Sequence, residues 1–246
     1  MKSDLVVLHT NDLHGHLTEA QATRLAELKA QAGPNALLVD AGDAVLSGNV
    51  TYRPGGEPIL TRMSDAGYDA MVSGNREFHF TQVGFAAKTA LARFPVLCAN
   101  VRARDAATPL PVRGSVTRVL AGGLRVGLFG LTVPMITERM LVRKFSAFVF
   151  DEPLGVAAGL VPDLRGACDL LICLSHLGIA QDRRLAATVP GIDLIVGGHT
   201  HAVLEHGERV GDTWIVQAGA HGKFVGRVDI GTKEGADGVT ANLSPL

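Results

Sequence analysis

Short apolar runs rich in valine, leucine and isoleucine recur along the chain, and amphipathic segments separate them. Uninterrupted apolar runs of this length are typical of strands that are buried on both faces of a sheet. The predicted strands are residues 4–9, 36–40, 69–74, 95–100, 169–175 and 193–198. The predicted helices between and beside them are residues 18–33, 57–67, 81–94, 153–166 and 180–188. This alternation predicts α/β layers with a largely parallel part.

The boundaries of the first helix are marked in the sequence. Thr18 and Gln21 have the spacing of a capping box, and Gly33-Pro34 predicts the end of the helix. Residues 115–131 (SVTRVLAGGLRVGLFGL) predict two strands joined by a glycine-rich turn. The later segments TWIVQAG and KFVGRVDI alternate like sheet. We therefore expect an α/β protein with α+β-type layers and mixed sheets, in which an antiparallel part accompanies the parallel one.

Composition and charge narrow the class of protein. The 246 residues are 47% hydrophobic, which is ordinary for a soluble globular domain, and the formal net charge of −1 gives no electrostatic reason to expect nucleic acid or a membrane as partner. No linker or repeat interrupts the chain, so we expect one domain over residues 1–246. The oligomeric state is not indicated.

The three cysteines lie in or beside apolar runs, which predicts buried thiols rather than a disulfide framework and fits a reducing compartment. The first residues lack the pattern of a signal peptide. We therefore expect a cytoplasmic protein, or a periplasmic or secreted one if a leader has been removed.

Metal-ligand residue types follow five of the predicted strands. They occur in the strings HTNDLHGH, VDAGD, SGNRE, LSHLG and VGGHTH, and the candidates are Asp12, His14, Asp43, Asn75, His176, His199 and His201. In α/β sheets, ligands bind beyond the carboxyl ends of the strands, so these loops are expected to converge on one rim. Carboxylate, amide and imidazole without thiol suit Mn, Zn, Fe, Co or Ni. Each cluster alone is also explained by a turn or by a structural histidine.

The spacing of the candidates suits two ions. Asp12 with His14, and His199 with His201, are both i, i+2 pairs, which in extended chain point the same way about 6–7 Å apart. Two ions about 3.5–4 Å apart can each take one member of such a pair. Asp43, with two carboxylate oxygens, is the candidate bridge.

An ordered set of longer motifs carries a family resemblance. The strings LHTNDLHGHL, DAGD, YDAMVSGNREF, FPVLCANV, SHLG, GGHTH and QAGAHGKFVGRVDI occur in this order between about residues 4 and 230. The chain resembles the metallophosphatase domain of the 5′-nucleotidase family, within the calcineurin-like phosphoesterases. That resemblance implies a four-layer α/β/β/α sandwich. Members of that family usually carry a C-terminal nucleotide-binding domain as well, and the length of this chain leads us to expect that it is lacking here.

The resemblance also implies a ligand set and a reaction. One metal is expected on Asp12, His14, Asp43 and His201, and a second on Asp43, Asn75, His176 and His199. The implied reaction is hydrolysis of a small phosphate ester, possibly a nucleotide, by attack of a hydroxide that bridges the two metals. The alternatives are a phosphodiesterase or a sulfur-ester hydrolase on the same metals, or a weakly active protein that binds metal and nucleotide.

The chain departs from the family pattern beside Asn75. The family string Gly-Asn-His-Glu-Phe-Asp is replaced here by residues 74–79, GNREFH, so that Arg76 and His79 stand where the family has a His/Asp dyad. Arginine binds phosphate oxygens well but is a poor proton donor. If a helix begins here, His79 is expected beside Arg76. We expect Arg76 and His79 to retain charge stabilisation and to favour substrates with good leaving groups; alternatively, Arg76 only stabilises the loop. His9, His16 and His221 are further candidates near the site.

Overall fold

Two six-stranded sheets face each other in the computed structural model, which describes residues 4–105, 107–231 and 235–246. The strands are β1 Leu5–Thr10, β2 Ala36–Asp40, β3 Ala70–Val72, β4 Val96–Leu97, β5 Val101–Ala103, β6 Ser115–Val119, β7 Arg125–Thr132, β8 Phe148–Phe150, β9 Leu170–His176, β10 Leu194–Gly197, β11 Glu208–Val210, β12 Thr213–Val216, β13 Phe224–Ile230 and β14 Val239–Pro245. The α-helices are α1 Glu19–Ala32, α2 Pro58–Asp65, α3 Gln82–Thr89, α4 Pro153–Ala167 and α5 Ile179–Thr188.

Both sheets have a parallel centre, but the second is antiparallel at both edges whereas the first is antiparallel at one edge only. The first sheet has the order β14-β13-β1-β2-β3-β4, in which β1 to β4 pair in parallel and β13 and β14 pair antiparallel. The second has the order β11-β12-β10-β9-β7-β6, in which β12, β10, β9 and β7 pair in parallel. The carboxyl ends of the parallel strands form the rim at which α/β proteins bind ligands. The prediction of mixed sheets is confirmed.

Alternation along the central strands divides the core into three apolar layers. Leu5 and Val7 of β1 point between the sheets, whereas Val6 and Leu8 point to the outer layer beneath α1, α2 and α3. In the second sheet, Leu171 and Cys173 of β9 point outwards to α4 and α5. Both faces of each sheet are therefore covered, which explains why the strands read as unbroken apolar runs. Four layers, helix on sheet on sheet on helix, confirm the predicted sandwich.

The local predictions hold at most boundaries. Thr18 and Gln21 form the capping box at the start of α1, because the Thr18 side chain accepts from the Gln21 backbone amide and the Gln21 side chain accepts from the Thr18 backbone amide. The strands β6 and β7 form the predicted antiparallel pair. The helix α3 ends at Thr89, earlier than the predicted residue 94, and β5, β8, β11 and β14 were not predicted.

Two further expectations concern cysteines and membrane spans. Cys98, Cys168 and Cys173 are buried free thiols, as predicted. Burial raises the pKa of Cys98 to about 12, so its thiol stays protonated and behaves as a small apolar side chain. Within the described ranges, no helix has the length and apolar character needed to cross a membrane.

Candidate metal centre

The seven predicted ligands meet at the carboxyl ends of strands from both sheets. Asp12 follows β1, Asp43 follows β2, and Asn75 follows β3, all in the first sheet. His176 is the last residue of β9, while His199 and His201 follow β10, both in the second sheet. The site therefore lies on the rim where the two sheets meet, and neither sheet alone carries the whole set.

One half of the site is built around Asp12. The Oδ1 atom of Asp12 lies 3.7 Å from Nε2 of His14 and 3.4 Å from Nε2 of His201. Both Asp12 Oδ1 and His14 Nε2 are buried and lack a hydrogen-bond partner. Buried polar atoms are seldom left unpaired. These two atoms lie close to a third possible metal ligand, Nε2 of His201, and this arrangement fits a cation. These ligand atoms lie within 4.8 Å of one another.

Asp43 connects that half to the other one. Its Oδ2 lies 3.6 Å from Nε2 of His14, while its Oδ1 lies 3.4 Å from Nε2 of His176. The same His176 nitrogen is 3.2 Å from Oδ1 of Asn75. The ring of His199 packs edge-on against that of His176, with 5.1 Å between the centroids. One carboxylate thus turns one oxygen to each half, which fits the two ligand sets that the family resemblance implies.

The backbone at the ligands is unusual. Six described residues other than glycine have a positive φ, and five of them are predicted ligands: Asp12, His14, Asp43, His199 and His201. The sixth is His221. A left-handed backbone at a residue with a β-carbon costs roughly 1–2 kcal/mol and persists only where the surroundings hold it. Here it turns short loops so that successive side chains point into the rim.

A buried carboxylate holds the turn that carries Asp43. Glu77 accepts hydrogen bonds from the amides of Asp43 (2.9 Å), Val45 (3.0 Å) and Gly74 (2.7 Å). It is fully buried, and it links the loops after β2 and β3. Gly74 must lack a side chain, because a β-carbon there would overlap the Asp43 carboxylate. Glu77 and Gly74 therefore fix the position of Asp43, the candidate bridging residue.

The electrostatics of the site reflect the close carboxylates. Contacts with Asp12 and then Asp43 raise the pKa of His14 to about 9. Burial opposes the charged form of His176, but the Asp43 carboxylate outweighs it and raises the pKa to about 9. Burial likewise opposes ionisation of Asp43, yet His14 and His176 lower its pKa below the usual range. The rim is thus an anionic pocket that favours positive charge, either protons or metal ions.

Arg76 points back towards the loop after β2. Its Nη1 donates to the carbonyl of Leu46 (2.9 Å), its Nε lies 3.8 Å from Oδ2 of Asp43, and its backbone amide donates to Asp43 Oδ1 (2.7 Å). The side chain is 31% exposed. The guanidinium therefore stabilises the loop and also places a permanent positive charge beside the bridging carboxylate.

No helix begins between Arg76 and His79, so the condition under which His79 was expected beside Arg76 is not met. The first helical residue after His79 is Gln82, and residues 75–77 form a turn instead of a helix. The Nδ1 atom of His79 meets the amide and hydroxyl of Thr81 at 3.1 and 2.8 Å. Its ring stacks on Phe80 and lies edge-on to Tyr52. His79 is 4% exposed and supports the start of α3 through Thr81.

Sequence reasoning missed Lys88, which stands behind Arg76. It is fully buried in α3, and its ammonium donates to the carbonyls of Ser47, Gly48 and Arg76. Its position three residues after the buried Phe85 puts a charge on the apolar face of the helix, which was the available signal. Lys88 thus anchors two segments that position the Arg76 guanidinium, the loop after β2 and the turn that contains Arg76.

The chain matches one protein family over most of its length. Residues 5–203 match the family described as calcineurin-like phosphoesterase. The chain is 32% identical over 94% of its length to the trifunctional nucleotide phosphoesterase protein YfkN of Bacillus subtilis, and 28% identical over 94% to a 5′-nucleotidase of Vibrio vulnificus. It spans 18% and 49% of those two relatives.

A solved structure gives the same likeness in three dimensions. The 5′-nucleotidase precursor of Thermus thermophilus superposes with a TM-score of 0.79 at 27% identity. The match covers 98% of this chain and 54% of that one. The fold of this chain therefore corresponds to about half of a longer protein.

Proposed function

This chain belongs to the calcineurin-like phosphoesterase family, and we propose that it hydrolyses a small phosphate ester with the help of two divalent metal ions. The observation that carries the proposal is the orientation of Asp43, whose two oxygens face two separate groups of ligand atoms. A structural site for a single ion has no need of such a bridge. A nucleotide is one candidate substrate, since relatives of this chain are named as 5′-nucleotidases.

The residues divide into two sets around the bridge. Asp12, His14, Asp43 and His201 would hold one ion, and Asp43, Asn75, His176 and His199 the other. When bound, the two ions supply a water of lowered pKa and positive charge for the phosphate oxygens. The protein contributes by holding imidazoles and carboxylates in fixed positions, and His14 and His176, whose pKa values are raised, would each release a proton to an incoming ion.

Arg76 would add charge stabilisation without proton donation. One of its five N–H groups is held by Leu46, and the guanidinium remains partly exposed beside Asp43, so further N–H groups can reach a phosphate oxygen. Arginine remains charged at neutral pH and cannot protonate a leaving group. His79 does not compensate, because its ring is committed to Thr81 and the Val50 backbone. Substrates with good leaving groups, such as aryl phosphates and phosphoanhydrides, are therefore preferred.

A substrate panel tests the proposal. Phosphate mono-, di- and thioesters would be assayed with Mn²⁺, Zn²⁺, Mg²⁺, Co²⁺ and Ni²⁺, and the metal content would be measured in parallel. We expect about two ions per chain and a higher kcat/KM for p-nitrophenyl phosphate than for AMP. Tight binding of metal and phosphate without turnover would overturn the proposal in favour of a binding protein. Equal efficiency on AMP and p-nitrophenyl phosphate would overturn the leaving-group preference.

Arg76→His isolates the contribution of the changed position. Histidine can donate a proton, so we expect the ratio of kcat/KM for AMP to that for p-nitrophenyl phosphate to rise. Arg139→His is the matched control, because Arg139 is exposed and lies outside the ligand set. An unchanged ratio in Arg76→His would mean that Arg76 does not determine the leaving-group preference.

A further inference from the structure

The loop between β12 and β13 presents one side chain to the rim from a strained backbone. Gly219, His221 and Gly222 all have left-handed φ values, of 73°, 61° and 63°. Glycine adopts such values without cost, but histidine does not. Apart from the predicted metal ligands, His221 is the only described residue other than glycine with a positive φ. Strain of this kind points to a position at which the side chain matters.

Three hydrogen bonds tie this loop to the segment that begins the site, and a fourth ties it to helix α1. The His221 amide donates to the carbonyl of Asp12 (2.9 Å), and the Asn11 side chain donates to the Gly219 carbonyl (2.6 Å) and accepts from the Ala218 amide (2.8 Å). On the far side, the Gln21 side-chain amide donates to the Gly222 carbonyl (2.9 Å). The neighbours of His221 in the loop are glycine and alanine. The loop is therefore built to hold one imidazole.

That imidazole lies in a row of histidine rings. Its centroid is 5.1 Å from that of His14, 5.8 Å from that of His201 and 5.0 Å from that of His16. His14 and His201 belong to the Asp12 half of the metal centre, whereas His16 and His221 are exposed beside it. The two outer rings thus extend the rim away from the metal ligands, on a surface that a substrate can reach.

The chemistry of the outer pair suits an anion better than a third cation. Within the described part of the chain, neither His16 nor His221 belongs to a group of ligand atoms that could hold a metal. The next charged side chain along the chain is the cation Lys223. A neutral imidazole offers an N–H donor, and two such donors beside a lysine match the oxygens of a phosphate group.

We propose that His16 and His221 form a subsite for a second oxyanion of the substrate, next to the phosphate held at the metal centre. The ligand class is a compound with two neighbouring phosphates, such as a diphosphate. The proposal rests on the proposed function, because it assigns the part of the substrate beyond the scissile phosphate. It extends that function by naming the chemistry of the leaving group.

The test compares two non-hydrolysable ligands by calorimetry on the metal-loaded protein. Methylenediphosphonate carries two anionic groups and methylphosphonate carries one. The variants are His221→Asn and His16→Asn, and asparagine tolerates the left-handed backbone at position 221. We expect His221→Asn to weaken methylenediphosphonate binding about tenfold, the loss of one hydrogen bond, and methylphosphonate binding less than twofold. His206→Asn is the control, since His206 contacts Asn242 on another surface.

The outcomes separate the subsite from the reaction. Unchanged binding of methylenediphosphonate in both variants overturns the subsite even if the enzyme is active. Equal weakening of both ligands also overturns it, because the defect would then lie in the metal centre, which metal analysis would show. A selective loss in a protein that hydrolyses nothing supports the subsite and refutes the reaction. His221→Gly serves as a second variant if the asparagine form does not fold.

Discussion

Glu77→Gln tests the claim that a buried carboxylate holds the bridging residue in place. In the wild type, Oε2 of Glu77 accepts from the amides of Asp43 and Gly74, and Oε1 accepts from the amide of Val45. Glutamine has nearly the same shape, but one of its two terminal groups is a donor. In either orientation, at least one of the three amides faces an NH₂ group. The substitution therefore removes an acceptor without leaving a cavity.

The magnitude follows from the three contacts. A hydrogen bond to a charged group contributes about 1.5–3 kcal/mol, and a buried donor without a partner costs about 1–3 kcal/mol. If the amide oxygen takes the Oε2 position, one bond is lost and two become neutral and weaker. We expect the free energy of unfolding to fall by about 3 kcal/mol in total. The left-handed backbone of Asp43 loses part of its support at the same time.

Urea unfolding of the metal-free protein, followed by circular dichroism, measures this change directly. The metal-free form is needed because bound ions would stabilise the folded state and mask the difference. Glu27→Gln is the matched control: Glu27 is exposed and its nearest cation, Arg24, is 3.9 Å away, so we expect a change below about 0.5 kcal/mol. A Glu77→Gln variant as stable as this control would refute the account of the Asp43 turn.

Three further predictions concern buried groups. Lys88→Met should lower kcat/KM about tenfold, which corresponds to about 1.4 kcal/mol. If Lys88 acts by positioning Arg76, the same substitution should have no further effect in an Arg76→Ala protein, and additive losses in the double variant would refute the positioning role. Gly226→Ala should lower the free energy of unfolding by about 1–3 kcal/mol or more, because a β-carbon there would overlap His9. Gly159→Ala, at a position with open space in α4, should not lower it, and urea unfolding of the two variants measures the difference. Burial lowers the pKa of His9 to about 3, so below about pH 6.5 the unfolded chain binds more protons than the folded chain. The free energy of unfolding should therefore decrease as the pH falls, by up to about 1.4 kcal/mol per pH unit. His9→Gln should reduce this slope, and an unchanged slope would contradict the prediction.

The fold was predictable because its central strands are buried on both faces. The resulting apolar runs are unmistakable in β1, β2 and β9, and amphipathic helices separate them. The unpredicted strands lack that signal. β5 and β8 have three residues each, and β14 is a polar edge strand in which only Ala241 is buried. Such strands depend on the neighbour with which they pair rather than on their own pattern.

The convergence of the candidate ligands was predictable from the sequence, whereas the placement of Arg76 and His79 was not. Ligand positions follow from strand ends, because neighbouring parallel strands bring their following loops together. The relation of Arg76 to His79 depended on an assumed helix, but Thr81 caps α3 and the preceding residues form a turn. The direction of the Arg76 guanidinium depends on the Leu46 carbonyl, thirty residues earlier in the chain. No local pattern encodes such a contact.

The division of the ligands between the sheets has a consequence for the order of assembly. Asp12, Asp43 and Asn75 follow strands of one sheet, and the three ligand histidines other than His14 lie at the ends of strands of the other. A folding intermediate in which only one sheet has formed would therefore present only part of the candidate site. If the candidate residues bind metal as proposed, the full site forms only when the two sheets dock, and the rate of metal capture during refolding would report that docking step.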